Sequence, residues 1–184
     1  MNKVIHKPVL IVIAGPNGSG KTSVTSKILH HEWMEDSMDA IMQAAKYSED
    51  IREQCLLEHK SLIFETVLSA KDKVDYICRA IHAGFFVRLF FVCTASPTIN
   101  ASRIANRVME GGHDVPIPKI ISRYHKSLLN CCLASKLADR TYVYDNSIEN
   151  SDATLLFRLT KGQLAKQYVG VIPEWAYLIF NSNF

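Results

Sequence analysis

The fold is decided by the stretch Gly15-Pro16-Asn17-Gly18-Ser19-Gly20-Lys21-Thr22. It matches the pattern G-x-x-x-x-G-K-[ST] at every fixed position, which is the pattern of a loop that cradles phosphate groups. The apolar run Val9–Ala14 precedes it, and this run predicts a strand buried on both faces of a parallel sheet. Residues 21–30 then read as a helix. A strand before the loop and a helix after it are the setting that the motif requires, so we predict a phosphate-binding loop.

The chemistry of such a loop follows from its residue types. Glycines let backbone N–H groups turn toward phosphate oxygens, and the following helix adds the partial positive charge of its N-terminus. Lys21 is expected to reach the β- and γ-phosphates, and the Thr22 hydroxyl is expected to bind Mg²⁺. The predicted cofactors are therefore ATP and Mg²⁺. The residues predicted to bind them are Gly15, Pro16, Asn17, Gly18, Ser19, Gly20, Lys21, Thr22 and Ser23.

Outward from the loop, helices and strands alternate. Strands are predicted at Ser61–Glu65, Phe85–Thr94 and Thr141–Tyr144. Helices are predicted at Ser37–Lys60, Lys71–His82, Pro97–Glu110 and Pro118–Asp139, with Gly84 and the pair Gly111-Gly112 as stop signals. Strands separated by helices of this length are typical of crossover units on a parallel sheet. The sequence therefore predicts an α/β P-loop NTPase fold, nucleoside-kinase-like, with three layers and a mostly parallel sheet.

The C-terminal part of the chain has a different pattern. Residues 155–160 and 163–169 flank Lys161-Gly162, which predicts a β-hairpin, and residues 173–180 predict a short helix. A length of 184 residues fits one domain, so we expect a single P-loop kinase domain over residues 1–184.

Composition narrows the class of protein. With 48% hydrophobic and 21% charged residues, the chain should fold as a globular protein. A net charge of +3 without any run of basic residues argues against a nucleic-acid partner. No stretch approaches the roughly 20 apolar residues of a membrane span. The five cysteines have no CxxC spacing, so free thiols and a cytoplasmic location are expected.

A second set of charged residues is expected near the loop. Glu65 ends an apolar strand, and ligands of open α/β sheets bind at the carboxyl ends of strands. It is expected to hold the Mg²⁺ shell or to orient an acceptor hydroxyl, and the alternative is a helix-capping or salt-bridging glutamate. Arg103 and Arg107 lie four residues apart on one helix, so both project from one face and are candidates to neutralise the transferred phosphate. The alternative, above all for Arg103, is a plain solvated helix face. For Arg123, a solvated helix face is the first interpretation, and contact with a phosphorylated substrate is the alternative.

Four blocks of sequence together resemble the zeta toxin family of P-loop kinases. They are the phosphate loop, Phe64-Glu65-Thr66-Val67-Leu68-Ser69, the run from Arg107 to Pro116, and Asp145-Asn146-Ser147. The resemblance implies a kinase that moves the ATP γ-phosphate to a hydroxyl, with UDP-N-acetylglucosamine as the acceptor in toxin members. It implies that Lys21 and Thr22 serve ATP and Mg²⁺, Glu65 the acceptor side and Arg107 the transition state. An antitoxin partner is compatible with the resemblance, but no feature of the sequence indicates one.

One part departs from the family pattern. Such kinases place a strand ending in an acidic general base after the loop helix, but no apolar β-branched run lies between His31 and Lys60. Either this strand is absent, or a segment is missing at about Asp36–Ser37. The general base is left unassigned, since Asp36 and Asp39 are better interpreted as helix caps. A small-molecule kinase is the leading hypothesis; the alternatives are an ATP-binding regulatory module without phosphotransfer and a nucleic-acid end kinase.

Overall fold

The structure is a computed structural model, and it describes residues 7–29 and 49–181. Within these residues, six strands form one sheet in the order β2-β1-β3-β4-β5-β6. The strands are β1 (Val9–Ala14), β2 (Leu62–Thr66), β3 (Phe86–Cys93), β4 (Arg140–Asp145), β5 (Thr154–Thr160) and β6 (Gln163–Gln167). The first four are parallel to one another, whereas β5 and β6 are antiparallel to their neighbours. The predicted mostly parallel sheet and the predicted hairpin are thereby confirmed.

The described helices connect these strands in the expected places. They are α1 (Lys21–Leu29), α2 (Glu49–Leu57), α3 (Lys71–His82), α4 (Pro97–Met109), α5 (Ile117–Leu137) and α6 (Glu174–Asn181). Most ends lie within one or two residues of the prediction. The helix predicted to reach Lys60 ends at Leu57, because a tight turn with His59 at a positive φ of 52° leads into β2. The part of that prediction at residues 37–48 lies outside the described residues.

The sheet separates two apolar clusters. Alternate residues of β1 face opposite sides, so Leu10 and Val12 belong to the larger cluster, and Ile11 and Ile13 to the smaller one. The larger cluster packs against α2, α3, α5 and α6, and the smaller one against Val24 of α1. Helices therefore lie on both faces, as the three-layer prediction requires. This double burial explains why β1 is apolar throughout.

No described helix is both long enough and apolar enough to cross a lipid bilayer. The five cysteines are all free thiols.

Candidate phosphate-binding site

The carboxyl ends of the four parallel strands meet at one edge of the sheet. Ala14, the last residue of β1, is paired with Thr66 on one side and with Phe91 on the other. Cys93, at the end of β3, is paired with Asp145 at the end of β4. The phosphate loop, Glu65 and the segment after β4 therefore share this edge, although they are far apart in the sequence.

Three hydrogen bonds from other elements fix the backbone of the loop. The Gly15 N–H donates to the Thr66 carbonyl at 3.2 Å. Asn100 of α4 donates through Nδ2 to the Asn17 carbonyl at 2.6 Å, and Asn146 donates through Nδ2 to the Ser19 carbonyl at 2.9 Å. The two asparagine bonds occupy loop carbonyls, so they use none of the loop N–H groups.

Two glycines of the loop have backbone conformations that other residues adopt at a cost. Gly18 has φ 77° and Gly20 has φ 82°. A Cβ atom at Gly18 would lie 2.7 Å from the Asn100 carbonyl oxygen, and one at Gly20 would overlap the Asn146 Nδ2 atom. The loop therefore needs glycine at both positions for conformational and for packing reasons.

Lys21 lies at the first position of α1 and is folded back onto the loop. Its Nζ donates to the Gly15 carbonyl at 2.9 Å and to the Pro16 carbonyl at 3.2 Å. Burial lowers the pKa of the Lys21 ammonium, while the carboxylate of Glu65 acts in the opposite direction and the guanidinium of Arg107 adds to the lowering. The Lys21 ammonium thus lies at the loop, with two backbone carbonyls as its hydrogen-bond acceptors.

Glu65 and both candidate arginines line one cavity beside the loop. This cavity has a volume of about 380 Å³. Its lining residues are Asn17, Gly18, Gly20, Lys21, Thr22, Glu65, Arg103, Ile104 and Arg107. Glu65 is the single carboxylate in that set, and it accepts a hydrogen bond from the Thr25 hydroxyl at 2.5 Å. The structure therefore brings Lys21, Glu65, Arg103 and Arg107 together within one cavity.

A second, larger cavity lies next to the first. It has a volume of about 760 Å³, and Gly20 and Arg103 line both cavities. Its wall includes Ser23, the side chain of Asn146 and residues 148–153 after β4. Arg103 is held at the junction, since its Nη2 donates to the Ile148 carbonyl at 3.4 Å. A ligand that occupies the phosphate loop can therefore extend into a pocket of ordinary ligand size.

Arg123 is closer to the loop than the sequence indicated. Its Nη1 donates to the Asn17 side-chain oxygen at 3.4 Å, and its side chain is partly buried. The interpretation as a solvated helix face is therefore incomplete, because α5 crosses the loop at this point. The buried Asn100 was also not singled out, since one asparagine in an amphipathic helix gives no functional signal.

Other candidates are not placed in the site. His113 and Asp114 are exposed in the turn after α4, and Gly112 packs against Arg107. Asp36 and Asp39, the weak candidates for a general base, lie outside the described residues.

The described part of the chain holds no cluster of three or more His, Cys, Asp or Glu residues for a metal ion. A bound Mg²⁺ would therefore have fewer than three ligands from carboxylate, imidazole or thiol groups of the described residues. The Thr22 side chain is exposed and lines the same cavity as the Glu65 carboxylate. Two oxygen ligands from the protein, with water and phosphate oxygens, suit Mg²⁺, which keeps much of its hydration shell in nucleotide sites. The residues present fit the ion.

No protein-family model matches the chain, and no curated protein does. Solved structures do. One is a chain of the AvrRxo1-ORF1:-ORF2 complex with ATP, which is 16% identical with a TM-score of 0.62 over 94% of this chain and 62% of that one. Another chain of this complex, crystallised with sulphate ions, is 17% identical with a TM-score of 0.58, over 88% of this chain and 61% of that one.

The third comes from the PezAT chromosomal toxin–antitoxin system of Streptococcus pneumoniae. It is 16% identical with a TM-score of 0.57, over 85% of this chain and 72% of that one. The chain thus spans less than two thirds of the AvrRxo1 chains that it resembles. At these identities the likeness shows the fold, which is an α/β fold with a mostly parallel sheet that the chain shares with the AvrRxo1 and PezAT structures. The fold predicted from the sequence is confirmed.

Proposed function

We propose that this protein is an ATP- and Mg²⁺-dependent kinase that transfers the γ-phosphate to a hydroxyl group of a small molecule. The observation that carries the proposal is the cavity in which the loop lysine, two arginines and one carboxylate converge. Three cations in a confined space are suited to a transferring phosphoryl group, on whose oxygens charge is spread. The carboxylate beside them is suited to an uncharged acceptor hydroxyl.

The two neighbouring cavities suggest a direction for bound ATP. The triphosphate occupies the loop, with its γ-phosphate toward Arg107 and Glu65, and the nucleoside extends past Gly20 into the larger cavity. Arg103 lines both cavities, so it lies beside the phosphate chain at the point where the two halves of ATP meet. The chain of the AvrRxo1-ORF1:-ORF2 complex that was crystallised with ATP has the same fold, which supports this ligand.

Each charged side chain then has a role in the transfer. Lys21 exchanges its bonds to the Gly15 and Pro16 carbonyls for phosphate oxygens, and Arg107 neutralises charge on the transferred group. Thr22 and Glu65 would hold Mg²⁺, which would supply further positive charge to the phosphates when bound. Arg123, held by Asn17, adds a cation at the outer side of the loop.

The reaction is a direct displacement at phosphorus. The acceptor oxygen forms a bond to the γ-phosphorus, the bond to the β–γ bridging oxygen breaks, ADP leaves, and the hydroxyl proton passes to solvent water. Glu65 is the one carboxylate among the described lining residues, so it accepts the hydrogen bond that orients this hydroxyl. We propose a UDP-amino sugar, with UDP-N-acetylglucosamine tested first, because of the resemblance to zeta toxins.

A protein partner of the antitoxin type is part of the same proposal. Solved structures with this fold include a complex of two proteins and a toxin–antitoxin system.

The test is ATP consumption by the purified protein with Mg²⁺, with and without UDP-N-acetylglucosamine, with the product identified by mass. We expect a phosphorylated sugar nucleotide that disappears in Lys21→Ala and persists in the matched surface variant Lys60→Ala, whose lysine pairs with Glu58 far from the loop. Undiminished transfer by Lys21→Ala would contradict the proposed site. ATP binding without transfer to any hydroxyl compound would favour a regulatory module that binds ATP.

A further inference from the structure

A groove on the surface of α5 lies apart from the two cavities of the proposed site. It has a volume of about 550 Å³ and is lined by Ser69, Lys71, Lys126, Leu129, Asn130 and Leu133. None of these residues lines either cavity at the phosphate loop. An occupant of the groove would therefore leave the ATP site open.

The floor of the groove is apolar and accessible. The side chain of Leu129 is 53% exposed and that of Leu133 is 42% exposed. The two are four residues apart on α5, so they lie on one face of the helix, and Lys126 lies one turn before them on the same face. Two large apolar side chains beside a concave surface favour the docking of another apolar surface.

The rim of the groove is cationic. Lys71 and Lys126 have no ion pair with any residue that the structure describes. The lining residues that the structure describes include no carboxylate, and α5 contains Lys119, Arg123, Lys126 and Lys136 but no acidic residue. A second copy of this helix would bring like charges together, so the charge pattern disfavours pairing of two α5 helices. It favours an occupant with carboxylates beside its apolar face.

We propose that this groove is a docking site for an acidic amphipathic helix of a partner protein. An amphipathic helix places apolar anchors at i, i+3, i+4 and i+7 into such a groove, which matches the spacing of Leu129 and Leu133. Its acidic flanks pair with Lys71 and Lys126, and these pairs set the orientation of the helix. The inference is independent of the proposed phosphotransfer, since it uses none of the residues at the phosphate loop.

The experiment uses the full chain and a fluorescein-labelled synthetic helical peptide with leucines at i, i+3, i+4 and i+7 and glutamates at the flanking positions. A matched peptide has lysine at every glutamate position. By fluorescence anisotropy we expect the acidic peptide to bind at least 10-fold more tightly than the basic one. We expect its affinity to fall as salt is raised, because the lysine rim is exposed.

Variants of the protein test where the acidic peptide binds. Leu129→Glu is expected to lower the affinity for the acidic peptide at least 10-fold. Leu57→Glu, at a leucine that is 80% exposed on α2, is expected to leave this affinity unchanged. Lys126→Glu is expected to lower the affinity for the acidic peptide and to raise the affinity for the basic peptide. Both leucines are on the surface, so neither variant removes core packing.

Three outcomes would overturn the proposal. Equal affinity for both peptides would show that charge does not select the occupant. Loss of acidic-peptide binding in saturating ATP would place the peptide on the cations of the phosphate site instead. Self-association of the unlabelled protein in sedimentation velocity that is abolished by Leu129→Glu would assign the groove to a second copy of this chain.

Discussion

Gly20 shows at the scale of one residue how the loop depends on its glycines. Its φ of 82° places it in a region that disfavours side chains, and a Cβ atom there would displace the Asn146 side chain from the Ser19 carbonyl. Gly84 has a similar φ of 86°, but nothing lies within 4 Å of its position for a Cβ. Substitution of Gly84 therefore introduces backbone strain alone, whereas substitution of Gly20 introduces strain and also breaks a contact.

We predict that Gly84→Ala lowers the free energy of unfolding by about 1–2 kcal/mol, which is the cost of a left-handed conformation. Gly20→Ala is expected to lose about 1 kcal/mol more, because the Asn146 hydrogen bond is broken as well. Urea unfolding measures both values. ATP affinity, measured by calorimetry, should fall in Gly20→Ala and persist in Gly84→Ala. Equal stability losses would show that Asn146 does not fix the loop.

The lowered pKa of the Lys21 ammonium makes the free energy of unfolding depend on pH in a definite direction. Its pKa in the folded protein is lowered by burial from the ordinary value of 10.5. Between the lowered pKa and 10.5, the unfolded chain holds a proton at Lys21 that the folded protein has lost. Stability contributed by this residue therefore rises with pH across that window and is constant below it.

We predict that the free energy of unfolding of the native protein, minus that of Lys21→Met, increases with pH up to 10.5 and then becomes level. Urea unfolding from pH 7 to pH 11 without nucleotide measures the difference. Burial raises the pKa of Tyr76 to about 12, and that tyrosine affects both proteins equally. Parallel curves for the two proteins would contradict a lowered pKa at Lys21.

At the scale of the element, α5 holds the loops that follow two strands. Tyr124 donates through its hydroxyl to the Thr94 carbonyl at 2.6 Å, after β3. Ser127 donates to the Val67 carbonyl at 2.7 Å, and Asn130 donates to the Leu68 carbonyl at 2.8 Å, after β2. These polar side chains are buried within an otherwise apolar helix face, and each one satisfies a loop carbonyl. The helix thereby orders the segment that follows Glu65.

We predict that Asn130→Ala lowers the free energy of unfolding by about 1–3 kcal/mol, because it leaves the buried Leu68 carbonyl without a donor. Ser122→Ala, at an exposed position of the same helix, should change it by less than about 0.5 kcal/mol. Urea unfolding of both variants is the measurement. A loss in Asn130→Ala no larger than that in Ser122→Ala would mean that this hydrogen bond contributes nothing.

At the scale of the whole molecule, one apolar cluster contains side chains from the five strands β1, β2, β3, β4 and β5 and from the helices α2, α3, α5 and α6. Because these elements share a core, we propose that the chain unfolds in a single cooperative transition, as a single domain would. A ligand at the carboxyl edge of the sheet then stabilises all of these elements together.

We predict that ATP with Mg²⁺ at 100 times its dissociation constant stabilises the protein by about 2.7 kcal/mol. For a chain of this size, that shift raises the melting temperature by about 5–11 °C. Differential scanning calorimetry should show the shift in Lys60→Ala but not in Lys21→Ala. Two separate transitions, of which ATP moves one, would contradict a single domain.

The sequence by itself determined the glycine-rich loop at residues 15–22, the strand and helix that flank it and the α/β class, because these depend on local features. Glycines permit positive φ angles, and the period of apolar residues separates strands from helices. It also determined which side chains were candidates for chemistry, since Glu65 ends a strand and Arg103 and Arg107 share a helix face.

Only the tertiary structure decided which distant residues meet the loop. The sheet order places β3 between β1 and β4, and this brings Asn146 to the Ser19 carbonyl across 127 positions of sequence. The path of α5 brings Arg123 to Asn17 and leaves Leu129 and Leu133 beside Lys71. Such contacts depend on how a helix packs against the whole sheet. The local spacing of apolar residues shows which face of a helix is buried, but it does not show which distant residues that face contacts.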